Sequence, residues 1–531
     1  MLIHKIKKIL TNLSESRNIL SMEELPEAGL LPGIIEAAKR IIFLLTNGKK
    51  LLVVGDYDCD GINATAILID FLRRAGFKDQ VDYIIPDRFV DGYGVSNNMV
   101  KFAIDNYFDF IVTVDNGIGA KEAVKYATDN NIEVIITDHH TPGNAVPVVD
   151  IIVNPKYNKG NFPFEEISGA TVAWLLCCQI REELNLEIDM RDWLDLVGIT
   201  VISDVMPLKS LNVTFVRFAI DAIKNKKRLI YGLAFNASKR ATLTEQDIAF
   251  GYVPMINAVG RIDHAKNAVE LLLSNSKKII KEKFSYMVDI NNKRKFLNQE
   301  LLNQVLPEAE LQIKNGHNVI IVNQEDLHEG IVGILAGKLA EKFNVPAYVF
   351  GWNDAKQCFK GSGRTVGNID LYSLTKTAEI HAQGFGGHKG AVGAAVHEKN
   401  FKKWVSSLRK SAKKLNPEDF KETGPKALDT TFSDINSELM SLLNEYRPFG
   451  QEFPLPTFKA KVFLNVLDSY KEGLHWKCLL IDENGKNLNA WFFHDKNIGD
   501  YNGQTVNISF QPVENRSSIG NEIQLHATLI M

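Results

Sequence analysis

The stretch VVGDYDCDGINAT, from Val53 to Thr65, places Asp56, Asp58 and Asp60 at alternate positions directly after an apolar run. Carboxylates this close repel one another, and removing them from water is costly unless something compensates. A solvated acidic loop that follows a strand is one interpretation. A bound cation is the interpretation that would explain why three carboxylates gather at the end of a buried strand.

The sequence around this stretch predicts the fold in which it lies. From Lys50 to about Val153, segments of helical pattern alternate with short apolar runs, which are LLVVGD, VDYIIP, FDFIVTVD, IEVIITD and DIIVNP. Such alternation predicts an α/β fold with a parallel sheet and helices on both faces. In these sheets the ligand site lies outside the carboxyl ends of the strands. Asp115 and Asp138 also fall at such ends, so one edge should collect all the aspartates.

The rest of the chain predicts three further parts. A long connecting helix is expected before a second α/β domain, which ends in the basic helix FKKWVSSLRKSAKKL, and the short strands beyond Phe449 predict a small β-barrel. The predicted divisions are an N-terminal helical segment (1–45), a first α/β domain (46–270), the connecting helix (271–314), the second domain (315–425) and the barrel domain (426–531).

Composition sets the broad class of protein. A chain of 531 residues is too long for one hydrophobic core, and no apolar run reaches the ~20 residues of a membrane-spanning helix. The N-terminus shows no signal-peptide core, and the five cysteines form no CxxC pair, so we expect a cytoplasmic protein without a disulfide framework. The net charge of −3 gives no global basic field, although nucleic-acid binding depends on local charge.

Three further segments extend the acidic set. TVDNG contains Asp115, ITDHHTPG contains Asp138, His139 and His140, and ISDVMPL contains Asp204. Carboxylate and imidazole ligands suit Mn²⁺, Mg²⁺ or Fe- and Zn-type ions. Two hard divalent ions ~3.5–4 Å apart can clamp the attacking and leaving oxygens of a displacement at phosphorus. Taken singly, these segments read as turns and loop histidines, but together they predict a metal centre.

The ordered motifs GDYDCDG, PDRFVDGYG, VDNG, TDHH and SDVMPL resemble those of the DHH phosphoesterase superfamily. The resemblance continues through INAVGR, HEGIVGILAGKL, GSGR, GFGGHKGAVGAA and RPFGQEFPLP, and so covers nearly the whole chain from Lys50. It is strongest to the members that degrade single-stranded DNA from the 5′ end. The chain departs from the usual pattern at INAVGR, where LNAAGR is more common, and after RPFG, where QEFP replaces Gly-Asn and puts the local turn in doubt.

The resemblance implies a metal-dependent 5′-to-3′ exonuclease that hydrolyses single-stranded DNA to mononucleotides in DNA repair and recombination. It implies two divalent cations, Mn²⁺ in preference to Mg²⁺, with Asp115 bridging them. The implied metal ligands are Asp58, Asp60, Asp115, His139 and Asp204. Asp56 is expected to support catalysis from beside the ligands, and His140 to contact the scissile phosphate or transfer a proton.

The resemblance also implies a substrate path through the second domain. The implied substrate-binding residues are Arg88, Asn257, Arg261, Ser362, Arg364, Gly386, Gly387 and His388. The guanidinium fork of Arg364 suits a terminal phosphate, and a glycine-rich loop at GFGGHKGAVG could bind an anion through its backbone. The structural alternatives are a tight turn between a strand and a helix at that loop, and a salt bridge from Arg88 to Asp87 or Asp91.

The β-rich tail would form an OB-like nucleic-acid-binding domain. Its candidate base-stacking residues are Trp476, Trp491, Phe492 and Phe493, although core packing is the better interpretation for at least two of them. The implied partners are single-stranded DNA, a helicase and a single-strand-binding protein, with a monomeric protein and no membrane. The alternatives are a phosphodiesterase for short oligonucleotides or cyclic dinucleotides, a pyrophosphatase and an inactive nucleic-acid-binding scaffold.

Overall fold

The computed structural model describes residues 2–143, 145–158, 160–235, 243–354, 357–421, 426–471, 473–493, 497–517 and 520–530. The described helices are α1 (Leu2–Glu15), α2 (Ile34–Thr46), α3 (Cys59–Leu72), α4 (Asn97–Asp105), α5 (Lys121–Asp129), α6 (Gly169–Glu183), α7 (Leu194–Ser203), α8 (Ser210–Lys224), α9 (Leu229–Phe235), α10 (Glu245–Asp247), α11 (Val253–Ile262), α12 (Lys266–Leu273), α13 (Lys277–Lys314), α14 (Val332–Phe343), α15 (Leu371–Lys376), α16 (Glu398–Ala412) and α17 (Ser437–Tyr446). The described strands are β1 (Leu51–Val54), β2 (Val81–Ile84), β3 (Phe110–Val114), β4 (Glu133–Thr137), β5 (Ile151–Val153), β6 (Ile320–Gln324), β7 (Ala347–Asn353), β8 (Cys358–Arg364), β9 (Gly384–His388), β10 (Ala391–His397), β11 (Leu428–Asp429), β12 (Phe458–Tyr470), β13 (His475–Asp482), β14 (Asn487–Phe493), β15 (Gln504–Ser517) and β16 (Gly520–Leu529).

The first sheet is parallel throughout and has the strand order β2-β1-β3-β4-β5. All five strands predicted from the apolar runs are therefore confirmed. Leu51 and Val53 face a core shared with α3 and α6, whereas Leu52 and Val54 face a core shared with α4 and α5. Because helices cover both faces, these strands are mostly apolar, and the polar residues within them are Asp82 on the edge strand β2 and the buried Thr113 on β3.

The connecting helix is α13, which is 38 residues long and begins at the N-cap Ser276. The prediction of a long connecting helix is thus confirmed, and the helix covers Lys277–Lys314. No helix among the described residues combines the length and the apolar character needed to cross a membrane.

The second sheet has the order β6-β7-β8-β10-β9, with β6 and β7 parallel and the remaining neighbours antiparallel. The prediction of a glycine-rich loop at GFGGHKGAVG is wrong, because these residues form β9, a turn and the start of β10. The expected turn between a strand and a helix is also wrong, since the turn joins two strands. Gly387 has a φ of +139°, and a Cβ there would lie 2.3 Å from the carbonyl oxygen of Ala391. Only glycine fits this close strand pairing, and glycine gives no strand signal in a sequence.

The C-terminal strands form a closed barrel, as predicted. Their order is β11-β12-β13-β14-β16-β15, and the pairing of β12 with β15 closes the sheet on itself. Its interior contains Phe458, Leu480, Phe492 and Leu525, each at most 1% exposed. Closure removes the free sheet edges that an open barrel would expose.

The RPFG segment ties the barrel domain to the first domain. Arg447 forms an ion pair with the buried Glu245. Gly450 and Phe453 exchange backbone hydrogen bonds across the turn that the unusual QEFP sequence makes. The buried Arg17 donates hydrogen bonds to the carbonyl oxygens of Leu208, at 2.9 Å, and Pro448, at 3.0 Å. The departure from the usual sequence therefore leaves an ordered junction.

Candidate metal centre and substrate cleft

The aspartate-rich turn after β1 is shaped by a helix cap and a glycine. Asp58 is the N-cap of α3 and accepts hydrogen bonds from the backbone N–H groups of Asp60, at 2.9 Å, and Gly61, at 3.1 Å. A Cβ on Gly61 would lie 2.5 Å from the Cβ of Asp56, so only glycine fits. Asn257 on α11 accepts a hydrogen bond from the Cys59 N–H at 2.7 Å and so fixes the turn from behind.

The start of α6 positions the carboxylates of Asp60 and Asp115. Asp115 follows β3 with a φ of +61°, and a Cβ on Gly169 would lie 2.4 Å from its Oδ1. The backbone N–H groups of Gly169 and Ala170, at the start of α6, donate to Asp60 at 2.6 and 2.9 Å. The positive end of α6 therefore holds one carboxylate while its glycine makes room for another.

The expected ligands form three sets. Within each set, the candidate ligand atoms lie within 4.8 Å of one another. The sets are Asp56, Asp58 and Asp115; Asp60, His139 and Asp204; and Asp115, His139 and His140. The predicted metal ligands are thus brought together. Asp56, which was expected to stand beside the ligands, belongs to one of the sets.

The donor atoms fit a divalent cation. His139 Nε2 lies 3.1 Å from Asp115 Oδ1, 3.5 Å from Asp204 Oδ2 and 3.7 Å from Asp60 Oδ2. Both ring nitrogens of His139 and Oδ1 of Asp115 are buried without a hydrogen-bond partner among the described residues. A buried polar atom without a partner costs about 1–3 kcal/mol. Such atoms converging from carboxylates and an imidazole are the ligand set that a hard divalent ion takes.

The electrostatics of the centre lead to the same conclusion. Burial, reinforced by the neighbouring carboxylates, raises the pKa of Asp60 to about 7. The same causes raise the pKa values of Asp56, Asp115 and Asp204. Burial, reinforced by His140, lowers the pKa of His139 to about 3, so its ring is neutral at pH 7, as a metal ligand must be. The ionised carboxylates are destabilising by themselves, and cations would offset that cost.

His140 is held differently from His139. Its Nδ1 donates to Asp138 Oδ1 at 2.7 Å, and its Nε2 lies 3.0 Å from the hydroxyl of Tyr93. Burial alone would lower the pKa of His140, but the hydrogen bond and charge of Asp138 raise it to about 9. Asp138 also accepts hydrogen bonds from the N–H groups of Ile118 and His139. Asp138 is therefore committed to positioning an imidazolium, a role that the sequence analysis did not assign.

A cleft of about 420 Å³ opens beside the centre, between the first and second domains. The predicted residues that line it are Arg88, Arg261, Ser362 and Arg364. The others predicted for substrate binding do not: Asn257 fixes the aspartate turn, and Gly386, Gly387 and His388 lie on β9 beyond the lining. Tyr57, Tyr93, Glu329 and Lys360 also line the cleft and were missed, although Tyr57 and Tyr93 stand inside the motifs GDYDCDG and PDRFVDGYG.

The cleft concentrates positive charge. Burial, together with Arg88 and Arg364, lowers the pKa of Arg261 to about 10. Arg364 donates to Ser362 Oγ at 2.6 Å, which aligns the two predicted phosphate contacts. Arg88 lies 4.9 Å from the ring centroid of Tyr57. Within the described residues it forms no salt bridge with the neighbouring aspartates of its loop, so that structural alternative is wrong. Three guanidinium groups that form no salt bridge within the described part of the chain make an anion site.

Positive charge continues from the cleft toward the barrel. The pKa of Lys338 on α14 is lowered by burial first, and also by Arg294 on α13 and Lys471 at the end of β12. The pKa of Lys295 is lowered by burial and by the same two cations. Arg294 also lowers the pKa of Arg261 in the cleft. Cations from three remote segments of the chain are thus close enough to lower one another's pKa, and we call this set, Arg294, Lys295, Lys338 and Lys471, the cationic path.

The aromatic residues of the barrel divide into two groups. The rings of Trp491 and Phe493 stack with centroids 5.9 Å apart, and Tyr470 lies 5.3 Å from Trp491. Phe493 is 45% exposed, whereas Phe492 is 1% exposed. Trp476 is half-buried against Gly499. Trp491 and Phe493 remain candidates for stacking on bases, and packing explains the other two.

Comparison with known proteins identifies three successive domains in the chain. Residues 50–200 match the N-terminal domain of the DHH family, residues 316–414 the DHHA1 domain and residues 428–528 the RecJ OB domain. The chain is 32% identical to the single-stranded-DNA-specific exonuclease RecJ of Bacillus subtilis over 80% of its own length, but spans only 54% of that protein.

Two further comparisons cover more of the relatives. The chain is 30% identical to the RecJ exonuclease of Escherichia coli over 86% of its own length and 83% of that protein. The structure of RecJ from Thermus thermophilus in complex with Mn²⁺ superimposes with a TM-score of 0.78 and 25% identity, covering 98% of this chain and 73% of that one. With three successive domains matched and this extent of identity, the chain belongs to the RecJ family of the DHH proteins.

Proposed function

We propose that this chain is a metal-dependent exonuclease that releases mononucleotides from the 5′ end of single-stranded DNA, in DNA repair and recombination. The observation that carries the proposal is the buried set of carboxylates and His139, which opens onto a cleft lined by three arginines. Relatives bearing the name single-stranded-DNA-specific exonuclease support the substrate. A 5′ end fits because a phosphate anchor lies beside the metal centre.

Two divalent cations would occupy the centre. Asp56, Asp58 and Asp115 would hold one, and Asp60, His139 and Asp204 the other. Because Asp115 Oδ1 lies 3.1 Å from His139 Nε2, Asp115 would stand between the two. When bound, such a pair lowers the pKa of a coordinated water and neutralises charge that develops on the phosphate. Mn²⁺ suits the mixture of carboxylates and an imidazole nitrogen better than Mg²⁺, which favours oxygen ligands.

The protein side chains position the strand. Arg88, Arg261 and Arg364 with Ser362 hold the terminal 5′-phosphate, which carries more charge than an internal diester. The imidazolium of His140, oriented by Asp138, donates a hydrogen bond to the scissile phosphate or a proton to the leaving oxygen. The cationic path and the exposed barrel aromatics bind the strand that follows.

We also propose that residues 46–270 form the DHH domain, 271–314 the connecting helix, 315–425 the DHH-associated domain and 426–531 the OB-like domain, after a helical segment over 1–45. We propose a monomer that acts beside a helicase and a single-strand-binding protein. Size-exclusion chromatography with light scattering tests the monomer, and co-purification with each partner tests the associations.

Product analysis tests the proposed activity. The purified chain with Mn²⁺ is given single strands labelled at the 5′ or the 3′ end, duplexes and dinucleotides. A 5′ label should appear at once in mononucleotides, while a 3′-labelled strand shortens progressively. Exclusive hydrolysis of dinucleotides would instead favour the alternative phosphodiesterase, for which a barrel and a long cationic path would have no use.

Arg364→Ala is expected to slow degradation of 5′-phosphorylated strands, because it removes the guanidinium fork from the phosphate anchor. Removing the 5′-phosphate from the substrate should cause part of the same loss. The two losses should not add, since they delete one contact. The measurement is kcat/KM for wild type and Arg364→Ala, each on 5′-phosphate and 5′-hydroxyl strands. Full additivity would show that Arg364 only supports the strand β8 around Ser362.

Binding of single-stranded DNA is expected to weaken steeply with salt. Each phosphate that meets the cationic path releases counterions, so log affinity should fall with log salt at a slope of ~0.7 per phosphate. Fluorescence anisotropy in EDTA measures binding without cleavage. Lys338→Ala should reduce the slope, whereas Lys403→Ala, on the exposed face of α16 away from the path, should not. An affinity that does not change with salt would exclude the long-strand interpretation.

A further inference from the structure

A second cavity lies away from the metal centre. It is a groove of about 620 Å³ bounded by the end of α13, the edge strand β6 and the basic helix α16, and we call it the α16 groove. It shares no lining residue with the cleft. On β6, Ile321 packs in the core beneath α16, whereas Ile320 packs in the core beneath α14. The groove therefore lies on the α16 side of the second sheet, while α14 contributes to the cleft.

The α16 groove is strongly basic. Lys402, Arg409, Lys410 and Lys413 line it, and Glu308 is the acidic residue of the lining. Burial raises the pKa of Glu308 and the charge of Arg409 opposes that shift, so one carboxylate faces four cations in the lining. An anion is therefore the complementary occupant.

Arg409 has unused hydrogen-bonding capacity. Its Nη2 donates to Gln312 Oε1 at 3.0 Å, while its Nε is buried without a partner among the described residues. Buried polar groups are normally paired, so an unpaired guanidinium N–H calls for an acceptor. A phosphate presents oxygens in the spacing that a guanidinium fork matches.

One wall of the α16 groove is apolar. Phe401, Val405 and Ile321 contribute to the lining, together with the polar side chains of Asn323 and Ser406. Ligand pockets of ~300–1,000 Å³ commonly combine an apolar wall with a few polar anchors. The volume and the lining suit a phosphate attached to a ring system, rather than inorganic phosphate alone.

The edge of β6 excludes one other class of occupant. The side chain of Gln312 donates to the carbonyl oxygen of Ile321 at 2.8 Å and accepts from its N–H at 3.0 Å. The backbone groups with which an added peptide strand would pair are therefore already used at the centre of the edge. A small ligand fits where an extended peptide does not.

We propose that the α16 groove binds a nucleotide-sized phosphate ester, with the phosphate on Arg409 and Lys413 and the ring against Phe401 and Val405. This site is separate from the metal centre. It also lies at the contact between α13, which joins the two domains, and the second sheet, so an occupant would contact both.

The test is calorimetric titration of the full chain in EDTA with deoxyadenosine 5′-monophosphate. Arg364→Ala serves as the background, because it removes one of the three guanidinium groups of the phosphate anchor and so weakens mononucleotide binding in the cleft. One binding site should remain, and Lys413→Glu should weaken it by roughly tenfold or more, since it places a like charge beside the phosphate. Lys403→Glu makes the same charge change on the exposed face of α16 outside the groove and should leave the affinity within about twofold.

Four results would overturn the proposal. The first is that the mononucleotide does not bind in the Arg364→Ala background, and the second is that Lys403→Glu weakens its binding as much as Lys413→Glu does. The third is that inorganic phosphate binds as tightly as the mononucleotide. The fourth is that Lys413→Glu loses oligonucleotide binding while no mononucleotide site is found. The last result would assign the α16 groove to DNA. Nuclease activity of Lys413→Glu in the otherwise unchanged chain should equal that of wild type, which confirms that the variant folds.

Discussion

Asp115→Asn is expected to lower the rate of single-strand hydrolysis by several orders of magnitude while leaving the fold intact. Asp115 belongs to the ligand set of the first proposed ion, and its Oδ1 lies 3.1 Å from Nε2 of His139, a ligand of the second, so its carboxylate is the one placed between the two proposed ions. Asparagine keeps the shape of the side chain and tolerates the left-handed backbone, with φ +61°, at this position. It removes only the charge that the cations require.

The same variant should raise the stability of the metal-free protein. Burial and the adjacent carboxylates raise the pKa of Asp115 in the folded state. Asp115 therefore lowers the free energy of unfolding once the pH exceeds the pKa of this carboxyl in the unfolded chain. The loss grows with pH and is complete above its pKa in the folded protein. At pH 8 in EDTA, Asp115→Asn should unfold at a higher temperature than wild type.

Turnover in Mn²⁺ and thermal unfolding in EDTA, followed by circular dichroism, measure the two effects. Asp129→Asn is the matched control, since Asp129 forms an exposed ion pair with Lys125; it should change neither quantity appreciably. Near wild-type turnover in Asp115→Asn would contradict the assignment of two ions to this centre. A lower unfolding temperature would show that the carboxylate has a partner other than a metal ion.

His140→Gln is expected to slow hydrolysis by roughly 10²–10⁴-fold, the range typical of a lost general acid or base. Before any cation is bound, the hydrogen bond and charge of Asp138 outweigh the effect of burial and raise the pKa of His140 to about 9, which favours an imidazolium at neutral pH. Activity that needs this proton should fall on the alkaline side of the pH–rate profile. Asp138→Asn removes the stabilising charge and should move that fall to lower pH.

The pH dependence of kcat in Mg²⁺, at saturating substrate, is the measurement. Tyr93→Phe is the control, because it deletes only the hydroxyl beside His140 Nε2 and leaves Asp138 in place. Its alkaline limb should stay close to that of wild type. An Asp138→Asn limb that coincides with the wild-type limb would mean that His140 acts without its proton.

The first sheet was predictable because each strand lies in a short, mostly apolar run that is closely followed by a polar residue or a proline. Local sequence therefore marks both the strand and the edge at which Asp56, Asp115 and Asp138 collect. The separate role of Asp138 was not predictable, because ligand and positioning carboxylates look alike until their hydrogen bonds are known. Its oxygens face N–H groups and the ring of His140, not the shared space of the other carboxylates.

The second domain was harder to predict for a different reason. Gly386 and Gly387 suggested a loop, but strand pairing is a tertiary property and overrides the low strand preference of glycine. The cleft and the cationic path depend on side chains from distant segments, and no local pattern reports that Arg294, Lys338 and Lys471 become neighbours. Burial likewise separates Phe492 from Phe493, which are adjacent in sequence but point to opposite sides of the barrel wall.

The most direct test of the two-ion centre is an anomalous difference map from crystals grown with Mn²⁺ and measured at the manganese absorption edge. Two peaks should appear roughly 3.5–4 Å apart. One should lie within reach of Asp56 and Asp58 and the other within reach of His139 and Asp204, with the Asp115 carboxylate between them. A single peak, or two peaks from which Asp115 is turned away, would contradict the account.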